Sequence, residues 1–338
     1  MRRVEFLVPD SIVGTPSNPA PAPPDERTHA LTFDRAMPDG GYGWWYIDAL
    51  SDDGRHAITL IAFIGSVFSP YYAAARARRA TPPINHCALN VAVYGPGARW
   101  AMTERGATAV QRHTHALRIG PSALCWDGTS LVITIDEICA PLPRRLRGTV
   151  VVRPRALTGA CFALDAAGRH TWSPIAPRAD VSVDLQHPAL RWRGLGYLDH
   201  NVGVEPLQSA FARWHWSRLV GASHTAILYE TTARTDAPDA PGRVLALRAD
   251  DDGTLTGFEP PPPAALPRGL WGVTRGTRAD RPARLLHTLE DAPFYLRSVI
   301  DSQMAGIAGP AMHESLDLDR FRQPWVRMLL PARMPRRA

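Results

Sequence analysis

From Gly40 onward, short apolar runs alternate with polar positions at a period of two and are cut by turn signals. Residues 42–49 end at Ser-Asp-Asp-Gly (51–54), and 57–68 follow. Residues 87–94 end at Gly-Pro-Gly (95–97), and 124–126 turn at Asp127-Gly128 into 131–138. Residues 149–153 and 180–185 continue the series. The second half repeats it at 211–220, 225–231 and 243–249, with a further turn at 250–253 before 255–258. Asp-Gly between apolar runs is the strongest short-range hairpin signal, and many short, evenly spaced strands predict a β-barrel or sandwich. Helix is expected only at 71–79 and near 317–321.

Residues 1–30 contain PSNPAPAPPDER, a Pro-rich composition that stays extended and does not pack. Glycines cluster at 194, 196 and 203, and the domain boundary is expected within 185–205. The expected division is therefore a tail over 1–30, a first β-domain over 31–190 and a second over 191–330. One stretch, 57–75, is free of charge and nearly long enough to span a bilayer. It holds Gly65, two serines and Pro70 and is rich in β-branched and aromatic residues, so a buried strand is the better reading.

The chain has 338 residues, 45% hydrophobic and 21% charged, enough to build a sizeable core. All its lysine-plus-arginine count of 38 is arginine, a bias that GC-rich coding explains, and the formal net charge is +6. The arginines are not interleaved with aromatics, so a nucleic-acid partner is not expected. A positive surface does favour anionic headgroups. The four cysteines form no Cys-x-x-Cys pair and are expected as small buried apolar residues, with no zinc site. No phosphate-binding glycine loop, His-Glu-x-x-His or Gly-x-Ser-x-Gly motif is present, which leaves hydride transfer, ATP use and the common hydrolase mechanisms without support.

Four groups combine aromatic and titratable side chains. In a strand, Tyr42, Trp44, Tyr46 and Asp48 share one face. Tyr197 precedes Asp199-His200-Asn201. Trp214 and Trp216 flank His215, and Tyr229 precedes Glu230. Each has a purely structural reading as well. Alternating aromatics usually form core, Asp-His-Asn is often a hydrogen-bonded turn, and a histidine between tryptophans is usually exposed. Brought together on neighbouring strands, they would line an apolar pocket with a few polar groups.

At these residues the sequence resembles the carotenoid 1,2-hydratases of purple photosynthetic bacteria. The strings IAFIGSVFSPYY (61–72), NHCALNVAVYG (85–95) and WAMTERG (100–106) carry the resemblance, with GGYGWWYIDAL (40–50) and WSPIAP (172–177) in support. The wider group is built from two lipocalin-like antiparallel β-barrels, so the resemblance implies an all-β, two-barrel fold. It also implies an Asp-His-Asn-Trp-Gly type string, which here reads Asp199-His200-Asn201-Val202-Gly203, with Val202 in place of the tryptophan. A carboxylate, a histidine and aromatics are implied to act together. The implied catalytic residues are Asp199 and His200, with Tyr229 and Glu230 as a weaker match; Trp44, Tyr46, Asp48, Trp214 and Trp216 are expected to bind substrate.

The implied reaction is cofactor-free hydration. A carboxylic acid protonates a trisubstituted terminal alkene, the tertiary cation is stabilised by aromatic faces, and water captures it. Asp199, Glu230 and, in second rank, Asp48 compete for the role of acid. No metal, nucleotide or flavin is expected, and no protein partner. The expected substrate is an acyclic carotenoid. The N-terminus lacks a signal-peptide apolar region, so a cytoplasmic protein peripheral to the inner membrane is expected. A carotenoid carrier, or a related hydratase or cyclase acting on another alkene, is the alternative.

Overall fold

The computed structural model describes residues 28–234 and 242–337. The tail expected over 1–30 therefore lies outside the described residues up to position 27. The all-β expectation is borne out: strands dominate and the helices are short. The chain divides into two compact units. The larger comprises described residues 28–206 and 327–337, the smaller 207–234 and 242–326.

The larger unit carries β1 (Tyr42–Ser51), β2 (Ala57–Ile64), β3 (Cys87–Tyr94), β4 (Arg99–Arg105), β5 (Val110–His113), β6 (Ala116–Ile119), β7 (Ser122–Trp126) and β8 (Leu131–Ile138). These are followed by β9 (Arg145–Pro154), β10 (Phe162–Ala163), β11 (His170–His187) and β12 (Leu190–Gly203). They form one sheet in the order β4-β3-β2-β1-β12-β11-β9-β8-β7-β6-β5, with Arg336–Arg337 pairing beside β4 and β10 pairing β11. The Asp127-Gly128 hairpin between β7 and β8, and the turns at 51–54 and 95–97, fall where the sequence marks them.

The sheet curls around one apolar core. Trp45, Ile47 and Ala49 of β1 meet Leu60 and Ala62 of β2, Leu89 and Val91 of β3, and Ile133 and Ile135 of β8 there. Across that core, Arg105 of β4 donates from Nη2 to Glu137 Oε2 of β8 at 2.7 Å, while Ser122 Oγ donates to Glu137 Oε1 at 2.8 Å. Strands β7 to β9 alternate buried and exposed, as one-faced strands do. Strands β1 and β3 are buried on both faces almost throughout. The 57–75 stretch becomes β2, a short loop and helix α1 (Pro70–Arg76), whose Ser69 accepts from the Tyr72 N–H as N-cap. Among the described residues, no helix is long and apolar enough to cross a membrane.

The division between the units falls after Pro206. The strand expected to open a second domain at 191 is β12, which pairs β1 along its length and β11 on its other side. Its glycines are not linker. A side chain at Gly194 would fall on the Leu50 carbonyl, at Gly196 on the Asp48 carbonyl and at Gly203 on the Tyr42 ring. Close strand approach, rather than flexibility, explains the cluster. The cysteines also depart from expectation: Cys87 and Cys139 are buried, but Cys125 and Cys161 are exposed.

The smaller unit begins with the one-turn helix α2 (Leu207–Ala210). Then come β13 (Phe211–Val220), β14 (His224–Ala233), β15 (Arg243–Asp250), β16 (Leu255–Gly257), β17 (Pro263–Ala265), β18 (Gly276–Arg278), β19 (Arg284–Asp291), β20 (Tyr295–Met304) and β21 (Ile307–Asp317). Its sheet runs β16-β15-β14-β13-β21-β20-β19, with β17 and β18 as a separate ribbon. Helix α3 (Leu318–Phe321) matches expectation; α4 (Pro324–Arg333), which straddles the division, does not.

Candidate functional site

Strands β1 and β12 pair in antiparallel register, setting Trp44 opposite Asn201, Tyr46 opposite Asp199 and Asp48 opposite Tyr197. Alternation puts these six side chains on one face, away from the apolar core, with Phe63 of β2 opposite Trp44. All are buried. Asp199 Oδ2 accepts from Tyr197 OH and from Trp172 Nε1 of β11, both at 2.9 Å. Asp48 Oδ2 accepts from Tyr46 OH at 3.1 Å. The Tyr46 and Tyr197 rings meet edge to face at 6.1 Å. Burial, reinforced by Asp199, holds the Tyr197 hydroxyl well above its usual range, so it stays a donor. Two carboxyl groups and two phenols thus form a cross-strand square walled by Trp44, Trp172 and Phe63.

His200 does not join this square. It lies opposite Trp45, on the core face, and its ring stacks on that indole at 4.4 Å. Its Nδ1–H donates to the Trp44 carbonyl at 2.9 Å. Burial pulls it down to about 4, so it is neutral near neutral pH. Consecutive residues of a strand point to opposite faces, and Asp199 and His200 therefore cannot address one substrate atom together. The histidine that shares the Asp199 face is His170, opposite Gly203 and on the same side as Trp172. Its Nδ1 lies 2.8 Å from Tyr42 OH and its Nε2 3.4 Å from Glu205 Oε1. Tyr42 in turn stacks on Trp44 at 5.0 Å. Sequence reasoning does not single out His170 or Trp172 as site residues. The available signal was their even spacing along one strand that includes the WSPIAP string.

A cleft of about 340 Å³ opens on the His200 side of the sheet, lined by His29, Arg35, Thr158, Cys161 and Ser173 among others. None of its described lining residues carries a carboxyl group.

The remaining expected residues lie in the smaller unit. Trp214, Trp216 and Tyr229 share one face of β13 and β14, with Tyr229 opposite Trp216 and its ring 5.2 Å from Trp214. Glu230 is on the other face, opposite His215, where Arg278 holds it through Nε at 3.0 Å and Nη2 at 3.2 Å. A fork of this kind engages both carboxylate oxygens of Glu230 at once. Beside it runs a buried chain. Ser315 Oγ lies 2.9 Å from His215 Nδ1 and 3.0 Å from His313 Nε2, and His313 Nδ1 lies 2.8 Å from Ser217 Oγ. Burial holds His215 down to about 4; burial and the neighbouring His215 hold His313 down to about 3. Among the described residues, no three His, Cys, Asp or Glu side chains gather as metal donors.

The family model for carotenoid hydratase CrtC matches residues 60–338. The chain is 52% identical over 328 residues to the acyclic carotenoid 1,2-hydratase of Thiocapsa roseopersicina, covering 96% of this chain and 78% of that one. It is 48% identical over 316 residues to the enzyme of the same name from Rubrivivax gelatinosus, covering 91% and 77%. In fold it is similar to an AttH-like protein from Nitrosomonas europaea, at TM-score 0.60 and 12% identity over 93% of this chain and 98% of that one. It also resembles kievitone hydratase from Nectria haematococca, at TM-score 0.52 and 7% identity over 94% and 97%. The family model spans most of the chain, and the two hydratases match it nearly from end to end: this protein is a member of the carotenoid hydratase family.

Proposed function

We propose that the protein hydrates the terminal C1–C2 double bond of an acyclic carotenoid, with Asp199 as the proton donor. The observation that carries the assignment is the buried square of Tyr46, Asp48, Tyr197 and Asp199. Kinship with named carotenoid 1,2-hydratases supplies the substrate class.

An unactivated alkene needs a strong neutral acid. In this reading Asp199, buried on this face, carries the proton that the reaction needs. Asp199 gives that proton to the less substituted carbon of the terminal bond, and the positive charge forms on the tertiary carbon. The faces of Trp44, Tyr46 and Trp172 stabilise the cation through their ring quadrupoles, worth up to roughly 2 kcal/mol when desolvated. Water adds to the cation, and the oxonium proton returns to the Asp199 carboxylate, which resets the acid. Tyr197 and Trp172, both donating to Oδ2, fix the carboxyl in place. No electrons are transferred. In this reading His200 positions Trp44 from behind the sheet, and Tyr229 and Glu230 take no part in proton transfer. The cleft beside His200 is a poorer site, because it offers no described acid strong enough to protonate an alkene.

The deciding experiment is chromatography of pigments from cells that make neurosporene or lycopene, with and without the protein. Appearance of the tertiary 1-hydroxy product supports hydration; unchanged pigment that co-purifies with the protein would make it a carrier. We further propose that it works at the membrane surface, where a wholly apolar substrate dissolves.

A further inference from the structure

Tyr42 of β1 and His170 of β11 stand in one register, each opposite Gly203 of the strand between them. With neighbouring strands roughly 4.8 Å apart, their backbones lie about 10 Å from each other. Yet Tyr42 OH reaches His170 Nδ1 at 2.8 Å. It crosses because Gly203 has no side chain: a Cβ there would collide with both the Tyr42 ring and His170 Nδ1. Beyond His170 the row continues to the partly exposed Glu205, whose Oε1 lies 3.4 Å from Nε2. At its other end the Tyr42 ring stacks on Trp44 at 5.0 Å, with 15° between the planes.

The order of hydrogens along this row is set from the Glu205 end. Burial pulls His170 below its ordinary range against the opposing charges of Asp165 and Glu205, so the ring is neutral near neutral pH and carries one N–H. A carboxylate only accepts, so that hydrogen sits on Nε2, facing Glu205. Nδ1 is left as an acceptor. Burial, with the charges of Asp165 and Glu205, holds the Tyr42 hydroxyl well above its usual range, so it stays protonated and donates to Nδ1. Asp165 Oδ1 meanwhile accepts from the His170 backbone N–H at 2.8 Å, which fixes the strand at this point.

We propose that Glu205 is a positioning residue of the catalytic face, acting on Trp44 through His170 and Tyr42. By fixing the His170 tautomer, Glu205 fixes the direction of the Tyr42 hydroxyl, and the anchored phenol holds the Trp44 indole at the angle it presents to the cation. Attraction between a cation and an aromatic ring needs the charge over the ring face, so an indole that tilts away loses it. The reacting proton does not travel along this row; it leaves from Asp199 and returns there. The inference rests on the reading of Trp44 as a wall of the hydration site, and it adds the residues that hold that wall.

The test compares Glu205→Leu, Glu205→Gln, Tyr42→Phe, the double variant Glu205→Leu/Tyr42→Phe and Arg169→Gln with the parent, assaying hydration of lycopene in detergent micelles. Glu205→Leu should lower kcat on the order of tenfold with KM little changed, because it disturbs the wall met by the cation rather than substrate entry. Glu205→Gln, whose amide oxygen still accepts from Nε2–H, should restore most of that rate. Tyr42→Phe should cost the same as Glu205→Leu, and the double variant no more than either alone, as for groups acting in one series. Exposed Arg169, which pairs with Glu205 at 3.3 Å, should be replaceable by Gln at full rate. NMR of the His170 ring nitrogens, assigned by their absence in His170→Gln, should show hydrogen on Nε2 alone in the parent and on both nitrogens in exchange in Glu205→Leu. Parental kcat in Glu205→Leu, additive losses in the double variant, an equal loss in Arg169→Gln or an unchanged tautomer in Glu205→Leu would each overturn the proposal. The spectra are read whether or not hydration occurs, and a parent that does not hydrate lycopene while its spectra respond as expected would overturn the functional reading alone.

Discussion

At the scale of single residues, the site turns on the direction in which adjacent side chains point. Asp199→Asn should abolish hydration while leaving the fold intact, because the amide keeps the size and accepts from Tyr197 and Trp172 but has no proton to give. General acids typically contribute 10²–10⁴-fold, roughly, and a sole donor to an alkene contributes at the upper end. Rates measured on purified variants check this, and substantial activity in Asp199→Asn would remove it as the acid. His200→Phe makes the contrasting case. Phenylalanine retains the stack on Trp45 and loses one hydrogen bond to the Trp44 carbonyl, so kcat should fall by about tenfold or less. A loss as deep as that of Asp199→Asn would return His200 to the chemistry. The string Asp199-His200-Asn201 is legible in the sequence as a place of interest, and so is the stripe of Tyr42, Trp44, Tyr46 and Asp48. Sequence alone does not show that these two segments are cross-strand partners, because pairing is fixed by register across 150 residues. For the same reason Tyr229 and Glu230 look equally promising from their neighbours, until Arg278, 48 residues further on, is seen to hold Glu230.

At the scale of elements, the turns were the most legible features, since Asp-Gly and Gly-Pro-Gly act locally. The roles of Gly194, Gly196 and Gly203 were not, because glycines that allow close strand contact have the same composition as glycines in a linker. Helix α4 was missed because Pro331 lies within it and its apolar residues face outward. A buried long-range pair, Arg105 of β4 with Glu137 of β8, bridges strands of the larger sheet that are not neighbours. Burial raises the Glu137 carboxyl above its ordinary range, and Arg105 and Ser122 oppose that rise. Arg105→Met leaves the acid buried with one neutral partner and should destabilise the larger unit by about 3–5 kcal/mol. Urea unfolding of the variant measures it, and a change under about 1 kcal/mol would show that the pair is dispensable. The double variant Arg105→Met/Glu137→Leu should recover much of the loss, as replacing both charges by apolar groups commonly does.

At the scale of the whole molecule, acid should be the main solvent stress. His200, His215 and His313 are held neutral to about 4, 4 and 3 by burial, against an ordinary value of 6.5. Their folded values are depressed, so above about pH 7 neither state binds protons and they cost nothing. As pH falls from 6.5 towards 4, the unfolded chain takes up protons that the native one refuses. Stability is lost at up to about 1.4 kcal/mol per pH unit for each histidine. Urea midpoints at pH 7.5, 5.5 and 4.5 should decline steadily; a midpoint independent of pH across that range would show the rings to be accessible. The order of the chain adds a different consequence. Residues 327–337 belong to the larger unit, and Arg336 there pairs with Glu104 of β4, beside His86. During synthesis, domains generally fold from the N-terminus as they emerge. Here the ribosome must deliver all of the smaller unit before Glu104 meets its arginine, so the unit that is translated first is the one that finishes folding last.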